Sequence, residues 1–156
     1  MLSQVPKKER ESVEIKPYIR KVHYYETDLM GIIHHSNYIR WFEESRVDFM
    51  EQMGYGYDKM EQNGVSAAVL SVSCEYKAMV RFGETVKIKC AIVSLKPSRM
   101  TIRYQVLNHT TGELCTTGES SHCFISNAKG RSVALKKELP GLYTLLEQHL
   151  EPSFSI

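Results

Sequence analysis

The hydrophobic positions of the chain follow two periods, and the change between them falls near Ser66. Between residues 38 and 53, apolar side chains recur every three to four residues, which predicts a helix with a broad apolar surface. Ser36 or Asn37 is a suitable N-cap for this helix, and the glycines that follow Met53 favour its end there. The helical stripe consists of Tyr38, Phe42, Ser45, Phe49 and Met53.

After that point, apolar and polar side chains alternate, which is the period of a strand with one buried face. Short links at residues 96–98 and 111–112 favour antiparallel hairpins. Residues 57–62 and 140–149 are predicted as further helices, and residues 127–131 as a basic loop. The predicted strands cover residues 17–26 before the long helix and residues 68–76, 86–92, 100–106 and 114–124 after it.

The order of elements is therefore a strand, a long buried helix and four antiparallel strands. A strongly curved antiparallel sheet wrapped around the central helix satisfies both hydrophobic periods, which predicts an α+β fold. The length of 156 residues favours one domain with a real core, which we assign to residues 17–150. Residues 1–16 are rich in charge and poor in apolar side chains, so they are predicted to form a flexible arm.

Composition narrows the classes of function. Hydrophobic residues make up 42% and charged residues 24%, which are ordinary values for a globular protein, and the net charge of +2 gives no argument for nucleic-acid binding. No apolar block opens the sequence, and no uncharged run reaches the roughly 20 residues of a membrane span. The 4 cysteines form no C-x-x-C pair, which indicates reduced thiols. We expect a cytoplasmic protein with no membrane or nucleic-acid partner.

The stretch from residue 23 to residue 46 carries the candidate chemistry. Asp28 precedes Gly31 in a predicted loop, and His34 and His35 follow just before the helix begins. A carboxylate held near a helix N-terminus faces free backbone N–H groups and a positive local potential. This pairing suits an anion that attacks an electrophilic carbonyl carbon or activates water beside it. Gly31 is expected to take a conformation or a close approach that a side chain would obstruct.

Several of these residues also have a plainer interpretation. Asp28 can be a solvated turn residue, and adjacent histidines rarely point the same way, so we expect no metal at the site. Glu43 and Arg46 lie one helical step apart, which predicts a structural ion pair. His122, on a predicted strand, is interpreted as a hydrogen-bonded structural histidine.

The run Asp28-x-x-Gly31-Ile32-Ile33-x-His35-x-x-Tyr38, followed by Glu43 and Arg46, resembles the hot-dog-fold acyl-CoA thioesterases of the 4-hydroxybenzoyl-CoA thioesterase type. It is most similar to the bacterial branch that hydrolyses short acyl-CoA or acyl-carrier-protein thioesters. The similarity covers roughly residues 18–126, by motif at the start and by the order of elements afterwards. The resemblance implies an acyl-CoA hydrolase that releases a free acid and CoA-SH. It also implies that no cofactor is needed, since coenzyme A is part of the substrate.

The resemblance assigns roles residue by residue. The catalytic carboxylate of the family falls on Asp28, as nucleophile or general base, and its loop glycine falls on Gly31. The backbone N–H that polarises the thioester carbonyl falls on His35, at the start of the central helix. Two candidates lie on the first helical turn: Asn37, which caps the helix or orients the substrate, and Tyr38, which packs in the core or lines the pocket.

Substrate and partner contacts follow from the same resemblance. Contacts with the CoA phosphates are implied at the turn between the third and fourth strands, at Lys96, Ser98 and Arg99. Members of the family form dimers with sites at the subunit interface, and many pair the dimers into tetramers. We therefore expect self-association as a homodimer or homotetramer, with acyl-CoA as the substrate.

Three alternatives stay open beside this assignment. A related branch of the fold carries its carboxylate on the central helix, for which this sequence offers Glu43, Glu44 and Asp48. Asp28 in the loop disfavours that arrangement. Within the fold, the substrate can be an acyl-carrier-protein thioester instead of acyl-CoA. Outside enzymes, the chain can be a non-catalytic acyl-CoA-binding module.

Overall fold

The structure is a computed structural model, which describes residues 13–155 of the chain. A turn of 3-10 helix at Tyr24–Glu26 follows the first strand. In chain order the helices and strands are β1 (Tyr18–Lys21), α1 (Asn37–Gln52), α2 (Tyr57–Gln62), β2 (Val65–Tyr76), β3 (Thr85–Lys96), β4 (Arg99–Asn108), β5 (Leu114–Ser126), β6 (Arg131–Val133), α3 (Leu135–Glu138) and α4 (Pro140–Gln148).

The strands of the described residues form one antiparallel sheet. Its order is β1-β3-β4-β5-β2, with β6 paired to β5, so β1 and β2 lie at the two edges. Lys96 pairs with Arg99 at one turn, and Leu107 pairs with Leu114 at the next. Both predicted hairpins are therefore confirmed.

Helix α1 supplies the centre of the core, because its broad apolar surface faces the sheet. Trp41 and Phe42 are completely buried, and the Phe42 ring stacks on Tyr104 of β4 with 4.3 Å between ring centroids. Gly118 of β5 lies against Phe42, and a Cβ atom at that position would lie 2.3 Å from the ring. The predicted α+β hot-dog fold, a curved antiparallel sheet around a long central helix, is confirmed.

The prediction of one strand over residues 17–26 is wrong beyond Lys21. Alternation of side chains continues past that point, but the backbone turns because Glu26 closes a 3-10 turn. Its N–H donates to His23 O (3.0 Å), and its Oε1 atom accepts the His23 N–H (2.8 Å). This turn redirects the chain from the sheet edge toward the start of α1.

Two short elements after β5 were not predicted. The basic loop assigned to residues 127–131 is a tight turn, and the chain returns along β5 as β6. A single turn of helix, α3, then follows before α4. Segments of three or four residues are too short for a hydrophobic period to be recognised.

The predicted arm, residues 1–16, lies mostly outside the described residues. Its last part is held by hydrogen bonds: the Lys16 N–H donates to Gln52 Oε1 (2.8 Å), and Gln52 Nε2 donates to Lys16 O (2.9 Å). His149 Nε2 also lies 3.1 Å from Val13 O. Residues 13–16 therefore run between the end of α1 and the end of α4.

The predicted ion pair between Glu43 and Arg46 is wrong, since no ion pair joins them in the part of the chain that the structure describes. Arg46 is buried and donates from Nη1 to the Tyr104 hydroxyl (3.0 Å). That hydroxyl lies 2.6 Å from Ser120 Oγ, which lies 2.7 Å from His122 Nε2. The helical spacing is right, but Arg46 turns toward the sheet, and His122 is the structural histidine that was predicted.

Two findings bear on the expectations from composition. All 4 cysteines are free, and Cys115 and Cys123 are buried. Across residues 13–155, no helix combines the length and the apolar character needed to cross a membrane.

Candidate active site

The loop that leads into α1 is built around a tight turn that begins at Asp28. The Gly31 N–H donates to Asp28 O (3.0 Å), and the Asp28 N–H donates to Ile32 O (2.9 Å). Gly31 has a φ of +73°, and a Cβ atom there would meet nothing within 4 Å. The left-handed conformation, and not a close approach, therefore explains this glycine. The Met30 N–H donates to Asp28 Oδ1 (2.8 Å) and orients the carboxylate.

Backbone hydrogen bonds hold the second half of this loop on two sides. The Ile33 N–H donates to Val80 O (2.9 Å), in the segment that follows β2. The His34 N–H donates to Glu26 O (2.9 Å), at the start of the loop. The loop is therefore closed on itself and attached to the sheet before it reaches the helix.

His35 lies immediately before Ser36, the N-cap residue of α1. Among residues 13–155, no group accepts a hydrogen bond from the His35 N–H. The Tyr76 hydroxyl of β2 donates to His35 O (2.9 Å), which fixes this residue against the sheet edge. A free amide held at a helix N-terminus, where the potential is positive, is suited to binding an anion or a developing oxyanion.

Asp28 and His35 line the same cavity, which is open to solvent and has a volume of about 310 Å³. Among its lining residues in the described chain, Asp28 supplies the carboxylate. The rest of the lining is largely apolar and aromatic and consists of Ile32, Ile33, Tyr38, Tyr76 and residues 77–80. The cavity therefore brings together one acidic residue and the residue with the free amide at the start of the helix, on a largely apolar wall that also includes Lys77.

The acids of the central helix lie outside this cavity. Glu44 Oε2 accepts a hydrogen bond from Arg20 Nε (2.6 Å), and Asp48 Oδ2 accepts one from Gln52 Nε2 (2.7 Å). Glu43 is exposed. None of the three lines the cavity of Asp28, so the geometry favours the loop acid over the helix acids.

A larger cavity, of about 550 Å³, lies between residues 14–18, the C-terminal half of α1 and residues 151–155. It has carboxylates in its lining, from Glu14, Asp48 and Glu151. It lies away from the N-terminus of α1, however, and so has no helix-terminal amide opposite those acids. The smaller cavity is therefore the candidate active site.

The two candidates on the first turn of α1 have different positions. Tyr38 is 3% exposed and also lines the cavity, so it serves in the core and in the pocket wall at once. Burial raises the pKa of Tyr38 to about 12, so its hydroxyl keeps its proton at neutral pH. Asn37 Nδ2 donates to Glu26 O (2.9 Å) and His34 O (3.3 Å), and so attaches the loop to the helix outside the cavity lining.

The turn at residues 96–99, where the phosphate contacts were predicted, is far from Asp28 within one chain. Arg99 pairs with Cys123, and Cys123 pairs with Ala68 of β2. The cavity lies at Tyr76, and the eight residues from position 68 to position 76 of a strand span roughly 26 Å. One protomer therefore does not bring these residues to the cavity, and the phosphate contacts stay a prediction.

Two residues of this region were missed by sequence reasoning. Tyr76 was counted only as one member of an alternating strand, and Glu26 only as the end of a strand. Tyr76 contacts His35 across 41 positions of sequence, and Glu26 contacts Trp41 across 15. Contacts at such separation leave no local pattern in a single sequence.

The adjacent histidines are not arranged as metal ligands. Their rings are tilted by 31° with 4.1 Å between centroids, and His34 Nδ1 lies 2.8 Å from Ser36 Oγ. In residues 13–155, no group of three or more His, Cys, Asp or Glu side chains is placed to hold a metal ion. That the site needs neither metal nor cofactor stays a prediction.

A curved sheet around a helix, with a cavity at the N-terminus of that helix, defines the class of this protein: it is a hot-dog thioesterase. A family model described as the thioesterase-like superfamily matches residues 22–141. The chain belongs to the thioesterase-like superfamily.

Individual relatives agree with this placement. The chain is 34% identical over 122 residues to a protein of Aquifex aeolicus that is provisionally named an esterase; the match spans 78% of this chain and 92% of the relative. It is 30% identical over 128 residues to YneP of Bacillus subtilis, provisionally named an acyl-CoA thioesterase, over 82% of this chain and 92% of the relative. The structure of a DHNA-CoA thioesterase from Staphylococcus aureus superposes with a TM-score of 0.81 at 29% identity, over 85% of this chain and 89% of that one.

Proposed function

We propose that this protein hydrolyses acyl-CoA thioesters in the cavity between the Asp28 loop and the N-terminus of α1. The observation that carries the proposal is that Asp28 and His35, whose N–H has no hydrogen-bond acceptor among residues 13–155, line one largely apolar cavity. The names of two relatives, an acyl-CoA thioesterase and a DHNA-CoA thioesterase, support the same class of substrate.

Asp28 is proposed to provide the anion that the reaction needs. As a nucleophile, its carboxylate oxygen bonds to the thioester carbon, the C–S bond breaks to release CoA thiolate, and water then hydrolyses the mixed anhydride. As a general base, it takes a proton from water while the water oxygen attacks the same carbon. The C–S bond then breaks, and the departing CoA thiolate takes up the proton that Asp28 removed from water. Both routes yield the free acid and CoA-SH.

The His35 N–H is proposed to stabilise the oxyanion that forms on the thioester oxygen in either route. This donor is already fixed, because the His34 N–H bonds to Glu26 and the His35 carbonyl bonds to Tyr76. It therefore needs no reorganisation when charge develops. Losing a single donor of this kind typically costs about 3–4 kcal/mol of transition-state stabilisation.

We also propose that the site is completed by a second copy of the chain along the β2 edge. The outer edge of this 12-residue strand is unpaired in the described chain, and Val69 and Leu70 on it are 52% and 51% exposed. A long apolar edge strand invites pairing with another strand. A two-fold axis near Val72 would place Ala68 of one copy opposite Tyr76 of the other.

This arrangement gives the predicted phosphate contacts a role. Arg99 lies at the same level of the sheet as Ala68, because both pair with Cys123. With the partner's Ala68 opposite Tyr76, the partner's Arg99 would approach the cavity at Tyr76. The neighbouring Lys96 and Ser98 of the turn would come with it. The phosphates of CoA are anionic, and cationic side chains at the mouth of the site would bind them.

Release of free thiol from a panel of acyl-CoAs tests the proposal. The protein should release one equivalent of CoA-SH for each equivalent of free acid, and product analysis by mass spectrometry checks the balance. Release from acyl-carrier-protein thioesters alone would move the substrate class to the carrier protein. Tight binding of acyl-CoA without any turnover would make the chain a binding module and contradict the proposal.

A further inference from the structure

A buried cluster around Glu26 lies beside the candidate active site without lining its cavity. Glu26 is 3% exposed, and its carboxylate accepts three hydrogen bonds. Oε1 accepts from Arg20 Nη1 (2.5 Å) and from the His23 N–H (2.8 Å), and Oε2 accepts from Trp41 Nε1 (2.7 Å). Burial alone would raise the pKa of Glu26, but these donors outweigh it and hold the pKa below its usual range.

Arg20 extends this cluster across three elements. It lies on β1, and besides Glu26 it binds Glu44 of α1 through Nε (2.6 Å). Its guanidinium also lies over the Trp41 ring, 5.2 Å from the ring centroid. One planar cation therefore connects the edge strand, the start of the loop and the central helix, which a point charge could not do as well.

The backbone of Glu26 holds the other end of the loop. Its carbonyl oxygen accepts the N–H of His34 (2.9 Å) and the side-chain amide of Asn37 (2.9 Å). Asp28 follows Glu26 by two residues, and His35 follows His34 by one. The Asp28 carboxylate and the His35 amide are therefore both positioned by segments that begin at, or are bonded to, Glu26.

We infer that Glu26 is a positioning residue for hydrolysis, which sets the Asp28 carboxylate against the His35 N–H through its bonds to Arg20 and Trp41. The inference rests on the proposed function. Glu26 does not line the cavity. Its effect is on the relative placement of two groups, and a misplacement of about 1 Å can reduce a rate by roughly 100-fold.

The isosteric change Glu26→Gln tests the inference. The amide keeps the size of the side chain but loses the charge, and its NH₂ group faces the donors of Arg20 or Trp41. We expect kcat to fall by about 10-fold to 100-fold, with KM for acyl-CoA within about 3-fold of wild type. A residue that only stabilised the fold would reduce the amount of active protein and leave the kcat of the folded fraction unchanged.

The chain contains a single tryptophan, which gives a direct reading of the cluster. The Trp41 indole N–H should give one resonance in a nitrogen–proton NMR spectrum, displaced by its bond to the Glu26 carboxylate. Glu26→Gln should shift this resonance while the remaining amide spectrum stays dispersed. The measurement does not depend on catalysis.

Two further variants keep the test decisive if Glu26→Gln folds poorly. Trp41→Phe keeps an aromatic ring but removes the N–H donor to Glu26 together with part of the buried indole. It should lower kcat by about 3-fold to 10-fold. The matched control is Glu119→Gln, which breaks the partly exposed ion pair with Arg103 (2.8 Å) on the outer face of the sheet. The control should retain the kcat of the wild-type enzyme.

A shifted indole resonance in Glu26→Gln, together with a kcat equal to that of wild type in both Glu26→Gln and Trp41→Phe, would overturn the inference. Failure of the proposed function has a different signature. In that case Asp28→Asn would hydrolyse acyl-CoA as fast as wild type, whatever the Glu26 variants do. The two results can therefore be told apart in one set of assays.

Discussion

Gly118→Ala tests how closely the sheet is wrapped around the central helix. A Cβ atom at Gly118 would lie 2.3 Å and 2.4 Å from two ring carbons of Phe42 and 2.9 Å from the carbonyl oxygen of Ser73. Phe42 has no free space to retreat into, because it is completely buried and stacked on Tyr104. The added methyl group must therefore displace the helix, the strand or both.

The expected cost can be worked from these contacts. Overpacking of a core typically costs about 1–3 kcal/mol. We expect a cost near the upper end, because the added Cβ atom would clash with both the buried Phe42 ring and the backbone oxygen of Ser73. Replacing glycine by alanine within a strand returns about 0.5–1 kcal/mol. We expect Gly118→Ala to lower the free energy of unfolding by about 2 kcal/mol, and to lower Tm by roughly 4–8 °C.

Urea unfolding at one protein concentration, followed by Trp41 fluorescence, measures this change. The matched control is Gly141→Ala in α4, where a Cβ atom would meet nothing within 4 Å, and this variant should be neutral or more stable. In the Gly118→Ala background, Phe42→Leu should cost less than it costs alone, with a coupling of about 1 kcal/mol or more. A free energy of unfolding for Gly118→Ala within about 0.5 kcal/mol of wild type would show that the sheet and the helix have room for the added methyl group, against this prediction.

The remaining predictions concern pH, the phosphate contacts and the dimer. Burial, and to a smaller extent the charge of Arg46, lowers the pKa of His122 from 6.5 to about 4. Between these two pH values His122 is protonated in the unfolded chain but not in the folded one. Unfolding free energy should therefore fall by about 3 kcal/mol as pH drops from 6.5 to 4, and His122→Leu should flatten that slope in urea titrations. Lys96→Ala with Arg99→Ala should raise KM for acyl-CoA more than for a truncated thioester; an equal rise for both would rule out phosphate recognition there. Leu70→Lys, on the β2 edge, should give a monomer with little activity in sedimentation and thiol-release assays, whereas an active monomer would contradict a shared site.

The main elements could be predicted because their patterns are long. Helix α1 carries an apolar surface over four turns, and each of strands β2 to β5 is ten residues or longer, with at least seven of them in a recognisable alternation. The first strand was extended too far because alternation continues through the 3-10 turn at Tyr24–Glu26. That turn depends on the Glu26 side chain accepting the His23 N–H, which a hydrophobic period does not register.

The site was predictable only where its residues are close in sequence. Asp28, Gly31 and His35 fall within eight positions, and the structure gathers them at one loop and one helix end. Tyr76 and Glu26 act through contacts between distant segments, so no local pattern in the sequence identified them as residues of the site. The prediction for Arg46 failed for a different reason. Its spacing on the helix predicted a structural ion pair with Glu43, but the side chain is buried and bonds to Tyr104 of the sheet.

The proposed function depends above all on Asp28, whose carboxylate is assigned the attack on the thioester carbon or the activation of water. The most direct measurement is the initial rate of CoA thiol release by Asp28→Asn, compared with wild type and with Asp48→Asn, an acid of α1 outside the cavity. A catalytic role for Asp28 predicts a loss of at least about 100-fold for Asp28→Asn, with its Tm preserved, and a rate near wild type for Asp48→Asn. A folded Asp28→Asn protein that releases thiol at a rate near wild type would contradict it.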